Sequence, residues 1–312
     1  SNSGYLTEVK IPLGSELIGQ SLHATRLQRR FDLDVLELHR GAERFMPPLA
    51  DRTLMLGDRL LLLDLDSSLE QPDPEALQTL RHQLTASTVR SEQPGLGIIT
   101  GRSLSAARQR FTELQLPDPS VWITQAGTEI YYGQEDQADR LWAAEIGLDW
   151  QRQGVENALA DLGDHMALQA AEHQGVFKVS YLLRQPGPSV LPLIRQRLRQ
   201  EHQVARPALR CHWFLDVLPL RASRSEAIRF LSLRWSLPLD RFLVVASQQG
   251  DLELVQGLPA AVIPSDHDPC LDGCRQLPRV YFADRARLSG VLEGLQHYRF
   301  LSARSRLDQS SI

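Results

Sequence analysis

Apolar and polar positions alternate with period two over Leu6–Ile11 and again over Asp34–His39, where Val35, Leu36 and Leu38 are apolar, as in half-buried strands. Between them a stretch near Leu17–Arg29 has a helical pattern, and Pro47-Pro48 marks a loop. Strand, helix and further short strands in so short a span predict a small α+β module over residues 1–60. Beyond it the rhythm changes. Strongly apolar runs of strand length (Leu60–Leu65, Gly95–Ile99, Val121–Thr124, Phe242–Ala246, Ala260–Ile263) alternate with helical stretches at Glu75–Leu84, Ser105–Leu114 and Ser225–Trp235. Apolar strands interleaved with helices predict a doubly wound parallel sheet covered on both faces. Tyr132–His212 departs from this rhythm, with helices at Gln153–Leu162 and Val190–Glu201 around a strand at Phe177–Leu183. The expected architecture is therefore α/β. Its core is built from residues 61–132 and 213–312, with an inserted α/β cap at 133–212. One segment is ambiguous: Leu60–Leu63 fits both the last strand of the small module and the first strand of the core.

Composition narrows the function classes. The 312 residues are 42% hydrophobic and carry 34 basic against 38 acidic side chains, well mixed, for a net charge of -4. No concentrated basic patch points to nucleic acid, and no apolar run is long enough for a membrane span. No signal-peptide pattern opens the sequence. Cys211, Cys270 and Cys274 are too few for a disulfide framework. A cytoplasmic protein acting on a small molecule is the expectation.

The candidate chemistry lies at strand ends. In "LLLLDLDSSL" Asp64 closes an apolar strand and Asp66 follows two residues on. A carboxylate so placed can attack phosphorus. A second one nearby can protonate the leaving oxygen and then activate water. Two such charges also invite a divalent cation. The bland alternative is a pair of turn-forming acids. In "GIITGRS" Thr100 ends the next strand, and Gly101 and Arg102 follow. A hydroxyl and free backbone N–H groups at a strand-to-helix turn form a phosphate cradle, although the same residues also make an ordinary helix cap.

These residues carry a resemblance. "DLDSSL", "IITGRSLSAAR", "WITQAGTEIYYG", "FKVSYLL", "LDVLPLRASRSEAIRFL" and "RVYFADRARLSGVLEGLQHYRFL" occur in the order found in sucrose-phosphate phosphatases of the haloacid-dehalogenase-like superfamily. The phosphatase-like tail of bacterial sucrose-phosphate synthases is similar. The likeness spans about residues 60–301. It implies a haloacid-dehalogenase-like core with a cap, and Mg²⁺-dependent hydrolysis of sucrose 6-phosphate. By position, Asp64 is implied as nucleophile and Asp66 as general acid/base. Thr100 is implied to hold phosphoryl oxygens, with Gly101 and Arg102 beside it. Gly127, Thr128, Glu129 and Lys178 are implied to meet the sugar, and Asp64, Asp66 and Asp251 to hold the metal. Separately, "EVKIPLGSELIGQSL", "RRFDLDVLELHRG" and "LMLGDRLLLL" resemble the C-terminal module of regulator-of-potassium-conductance proteins. That likeness implies a regulatory module and a homodimer formed through residues 1–60. A regulatory protein of ion transport is thus an alternative reading, as is a non-catalytic sugar-phosphate-binding tail.

Two departures bear on turnover. Arg224 stands where the phosphatases carry lysine, and the exchange is not conservative. In Ala246-Ser247-Gln248-Gln249-Gly250-Asp251 the first aspartate of the acidic motif is replaced by Ser247, and Asp251 alone remains. Fewer carboxylates weaken Mg²⁺ binding, so reduced or absent phosphatase turnover is expected. Ser67-Ser68 in place of Asn-Thr is a milder change.

Overall fold

The computed structural model describes residues 38–40, 43–45, 60–66, 69–86, 95–210, 212–235, 237–257 and 259–300. The expected elements at Leu6–Ile11, Leu17–Arg29, Pro47-Pro48 and Ser67-Ser68 lie outside the described residues, as do Cys211 and the C-terminal Ser302–Ile312. The chain divides into two compact units, Ser1–Gly57 with Arg234–Ser236, and Asp58–Leu233 with Leu237–Ile312. Within the first, strands β1 (Leu38–Arg40) and β2 (Glu43–Phe45) pair antiparallel, Leu38 opposite Phe45.

The second unit begins with β3 (Leu60–Asp64), helix α1 (Pro74–Ala86), β4 (Gly95–Ile99), α2 (Leu104–Leu114), β5 (Val121–Thr124) and β6 (Glu129–Tyr132). The cap follows as α3 (Arg140–Gly147), α4 (Arg152–Ala158), β7 (Met166–Leu168), β8 (Val179–Leu183), α5 (Leu191–Gln200), β9 (Ala205–Arg210) and β10 (Phe214–Pro219). The chain returns to the core through α6 (Arg224–Arg234), β11 (Phe242–Val245), α7 (Leu252–Val255), β12 (Ala260–Ile263), β13 (Val280–Phe282) and α8 (Arg287–His297).

The core is a seven-stranded sheet of order β13-β12-β11-β3-β4-β5-β6. It is parallel except for the edge pair β5–β6. The ambiguous run Leu60–Leu63 is its central strand, flanked by β4 and β11. All five residues of β3 are buried, because both of its faces are covered. Leu61, Leu63 and Leu65 point with Ile98, Trp122, Val245 and Val262 toward the apolar faces of α1, α2 and α8. Helix α8 approaches β12 closely through Gly294, where a Cβ would lie 2.3 Å from a Val262 methyl. Helix α1 starts at Pro74, the position where the missing N–H costs nothing, and the Asp73 side chain accepts the Ala76 N–H at 2.7 Å.

The cap holds an antiparallel sheet of order β7-β8-β10-β9. It extends to Pro219, beyond the expected cap boundary at His212, because β10 pairs with β8 and β9 and not with the core. The expected helix Gln153–Leu162 is interrupted. After α4 the backbone at Leu159 leaves helical geometry (φ -111°, ψ 2°), and a tighter 3-10 turn over Ala160–Leu162 follows. The break keeps Val155, Leu159 and Leu162 packed on the cap sheet with Val179, Tyr181 and Leu183. Period-two alternation along β8 sends Ser180, and Lys178 just before it, to the opposite face. That polar face is turned to the core.

Candidate active site

Parallel strands present their carboxyl ends along one edge, and the candidate residues gather there. Asp64 is the last residue of β3 and is 2% exposed. Its Oδ1 accepts the Asp66 backbone N–H at 2.8 Å, and its Oδ2 accepts Arg224 Nη1 at 3.0 Å. Burial pushes the Asp64 carboxyl up to about 7, against the pull of Arg224.

Asp66 is held differently. Its Oδ1 accepts the Thr100 hydroxyl at 2.9 Å and Arg102 Nε at 2.8 Å, and its Oδ2 accepts the Gly101 N–H at 2.6 Å. Burial alone would raise its pKa. The Arg224 charge, the Gly101 N–H, Arg210 and Arg102 outweigh it and hold the carboxyl below the usual carboxylate value. Thr100, Gly101 and Arg102 thus converge as donors on one anion, the chain's own Asp66.

Arg224 opens α6 and is 6% exposed. Besides Asp64 it donates Nη1 to Asp251 Oδ1 at 2.5 Å, and its Nη2 stands 4.0 Å from Asp66 Oδ2. Asp251, fully buried, accepts the Ser247 and Gln248 backbone N–H groups through Oδ2, both at 3.0 Å. The Ser247 hydroxyl is buried and has no hydrogen-bond partner. Glu253, the acid nearest in sequence to Asp251, pairs instead with Arg206 at 2.9 Å.

The implied Mg²⁺ can be tested against these donors. A hard divalent cation needs several oxygens facing one point. Here the point between Asp64 and Asp251 is filled by the Arg224 guanidinium, and Ser247 offers a neutral hydroxyl. Among the described residues no group of three His, Cys, Asp or Glu side chains is placed to hold a metal ion. The expected ligand set Asp64, Asp66 and Asp251 is therefore not assembled as a cation site, and the residues present do not fit the metal.

The implied sugar contacts divide. Lys178 is 2% exposed and donates Nζ to the Gly101 carbonyl at 2.8 Å, which ties the cap to the cradle. Burial pushes its pKa down. Gly127 has φ +95°, and a Cβ there would lie 2.4–2.6 Å from the Ser223–Arg224 backbone. Its role is to let the 125–127 turn seat the start of α6. Thr128 donates its hydroxyl to the Gln125 carbonyl at 3.0 Å and so closes the same turn. Glu129 accepts the Thr124 and Tyr131 hydroxyls at 3.1 and 2.9 Å within the edge of the core sheet.

Two cap residues were not singled out from the sequence. Arg210 Nη1 reaches to 4.0 Å from Asp66, and its Nε is 4.0 Å from Asp216. Asp216, 2% exposed, accepts the hydroxyl of its cross-strand partner Ser180 at 2.5 Å. The available signal was a lone acid inside the apolar strand "FLDVLP", a pattern that marks a paired buried charge. Arg102, Arg210, Arg224 and Lys178 surround Asp66, so the cap-facing side is basic. A cavity of about 280 Å³ opens beside Asp66. Its lining includes Ser247 and Gln248 and sets three acids, Asp66, Glu70 and Asp266, against one base, Arg287, a charge balance that disfavours a phosphate.

Residues 57–299 match the family model of sucrose-6F-phosphate phosphohydrolase. The chain belongs to that family. A solved sucrose-phosphatase from Synechocystis sp. PCC6803, in complex with sucrose and phosphate, superposes with a TM-score of 0.70 at 27% identity, covering 78% of this chain and all of that one. A protein of Nitrosococcus oceani described as a HAD-like hydrolase is 28% identical over 272 residues, 77% of this chain and 71% of the relative. Residues 6–71 match the TrkA-C domain model. Over 58 residues the chain is 50% identical to the uncharacterized transporter sll0640 of Synechocystis, 19% of this chain and 10% of the transporter. The two family matches overlap at residues 57–71, the stretch that contains the central core strand β3.

Proposed function

We propose that this chain binds the phosphate monoester of a sugar, with sucrose 6-phosphate the leading candidate, and that its hydrolysis by Asp64 is slow or absent. The phosphate takes the cradle of Thr100, Gly101 and Arg102, and the sugar lies toward Lys178 and Arg210 on the cap. Supporting the binding half are the family membership, the four cations around the cradle and the cap closed by Lys178. The observation that carries the second half is the Arg224 bridge. Donors that neutralise the Asp64 carboxylate lower its power to attack phosphorus, and one of its two oxygens accepts the Arg224 guanidinium while the other accepts a backbone N–H. The developing charge on the phosphoryl oxygens would also lack the divalent cation that ordinarily offsets it.

The test is phosphate release from sucrose 6-phosphate. Binding with little or no release is expected. Mg²⁺-dependent release at a rate typical of enzymes, abolished by Asp64→Asn, would overturn the proposal. Dimerisation through residues 1–60 belongs to the same reading, and sedimentation of the full chain against a chain lacking residues 1–58 checks it. A shift from dimer to monomer is expected.

A further inference from the structure

The carboxylates at the strand edge are engaged by the chain's own donors. All six oxygens of Asp64, Asp66 and Asp251 accept hydrogen bonds from N–H or O–H groups. Among the described residues, Arg224 Nη1 is a donor shared between two of these carboxylates at bonding distance, 3.0 Å from Asp64 and 2.5 Å from Asp251. Its second terminal nitrogen is turned toward Asp66. A divalent ion placed to touch both Asp64 and Asp251 would have to displace this nitrogen or stand beside a buried guanidinium, with like charges repelling in a poorly screened interior. Arginine cannot escape by giving up its proton, and here the three acids hold its pKa still further up than usual. Nor can it readily swing out. It is fixed by the Gly127 turn packed on its backbone and would leave two buried carboxylates unpaired.

We propose that Arg224 is the resident cation of this site, filling the place a divalent metal would need, so that the site takes phosphate without metal. This rests on the phosphate-binding reading above for its ligand, but the exclusion of metal stands on the Arg224 geometry alone. The guanidinium holds Asp64 and Asp251 in place, and with Arg102 and Arg210 it supplies the positive field an incoming phosphate requires. Fixed donors of this kind bind phosphate with good geometry. Unlike a metal, they offer no open coordination position at which the phosphoryl oxygen and Asp64 could meet.

Two measurements on the full chain separate the possibilities. The first is Mn²⁺ binding, read from the loss of the free-ion electron paramagnetic resonance signal. The wild-type protein is expected to leave Mn²⁺ free. The Arg224→Ala variant, with Asp64 and Asp251 released, is expected to bind it at least about tenfold more tightly. The second is calorimetric titration with inorganic phosphate in EDTA and in excess Mg²⁺, where equal affinities are expected. Mn²⁺ binding to the wild-type chain would overturn the proposal, as would a gain of about tenfold or more in phosphate affinity on adding Mg²⁺. These wild-type results decide the matter even if Arg224→Ala does not fold. Absence of phosphate binding in both buffers, with Mn²⁺ still free, would sink the phosphate reading and support Arg224 as the cation that excludes metal.

Discussion

Replacing Asp66 with alanine should tighten phosphate binding, against the ordinary expectation for loss of a family acid. In the folded chain Asp66 occupies the anion cradle, accepting the Thr100 hydroxyl, the Gly101 N–H and Arg102 Nε at 2.6–2.9 Å. An incoming phosphate wants the same donors and is itself an anion, so Asp66 must move out before it can bind. A charge-assisted hydrogen bond of this kind is worth about 1.5–3 kcal/mol. Sparing the ligand the cost of breaking even one corresponds to a gain of roughly 10- to 150-fold in affinity. The same substitution lowers stability, since Arg102, Arg210 and Arg224 lose the carboxylate between them. Calorimetric titration of wild-type and Asp66→Ala proteins with inorganic phosphate reads the first effect, and thermal melts read the second. Phosphate binding in Asp66→Ala equal to or weaker than wild type would refute the idea that Asp66 competes for the cradle.

Lys178→Met should weaken phosphate binding by about tenfold and also lower stability by about 1–3 kcal/mol, because the buried Gly101 carbonyl loses its donor; a lowered melt with unchanged phosphate affinity would make Lys178 merely structural. Gly127→Ala should cost about 2–4 kcal/mol, combining a φ of +95° with a backbone clash at Ser223–Arg224, and a melt within a degree or two of wild type would contradict the packing described. Because burial raises the folded-state pKa of Asp64 to about 7 from an unfolded value of 3.8, the folded chain holds a proton that the unfolded chain releases. Stability from this group is therefore lost as pH rises from about 4 to 7, and any residual reaction needing the Asp64 carboxylate grows through pH 7. Melts from pH 5 to 8 should fall more steeply for wild type than for Asp64→Asn, and equal slopes would remove Asp64 as the titrating group.

The core was legible because its signals are local. Four consecutive leucines before Asp64 favour a strand covered on both faces, and the strands at Gly95–Ile99 and Val121–Thr124 end where their apolar runs end. The meeting of Asp64 and Thr100 at one sheet edge was legible for the same reason, since each terminates such a strand and parallel topology brings the ends together. The pattern failed where the deciding contacts are distant in sequence. β10 belongs to the cap because of its partners β8 and β9, which no property of "FLDVLP" alone reveals. Ser247 and Arg224 were legible as departures. What the departures do together was not, because the reach of one guanidinium to Asp64 and Asp251, 160 and 27 residues away, exists only in the fold. The position of Asp66 was also hidden: its spacing from Asp64 suggested a shared cation, whereas the structure turns it into the Thr100–Arg102 turn. The overlap of the two family matches at residues 57–71 resolves physically in favour of the core, since β3 pairs with β4 and β11.

The most direct test is phosphorus NMR of sucrose 6-phosphate mixed with an equimolar amount of the full chain in Mg²⁺ buffer. The monoester resonance should shift and broaden on binding and persist intact over hours. Its rapid replacement by inorganic phosphate, lost in Asp64→Asn, would contradict the picture of a phosphate pocket whose nucleophile is held by Arg224.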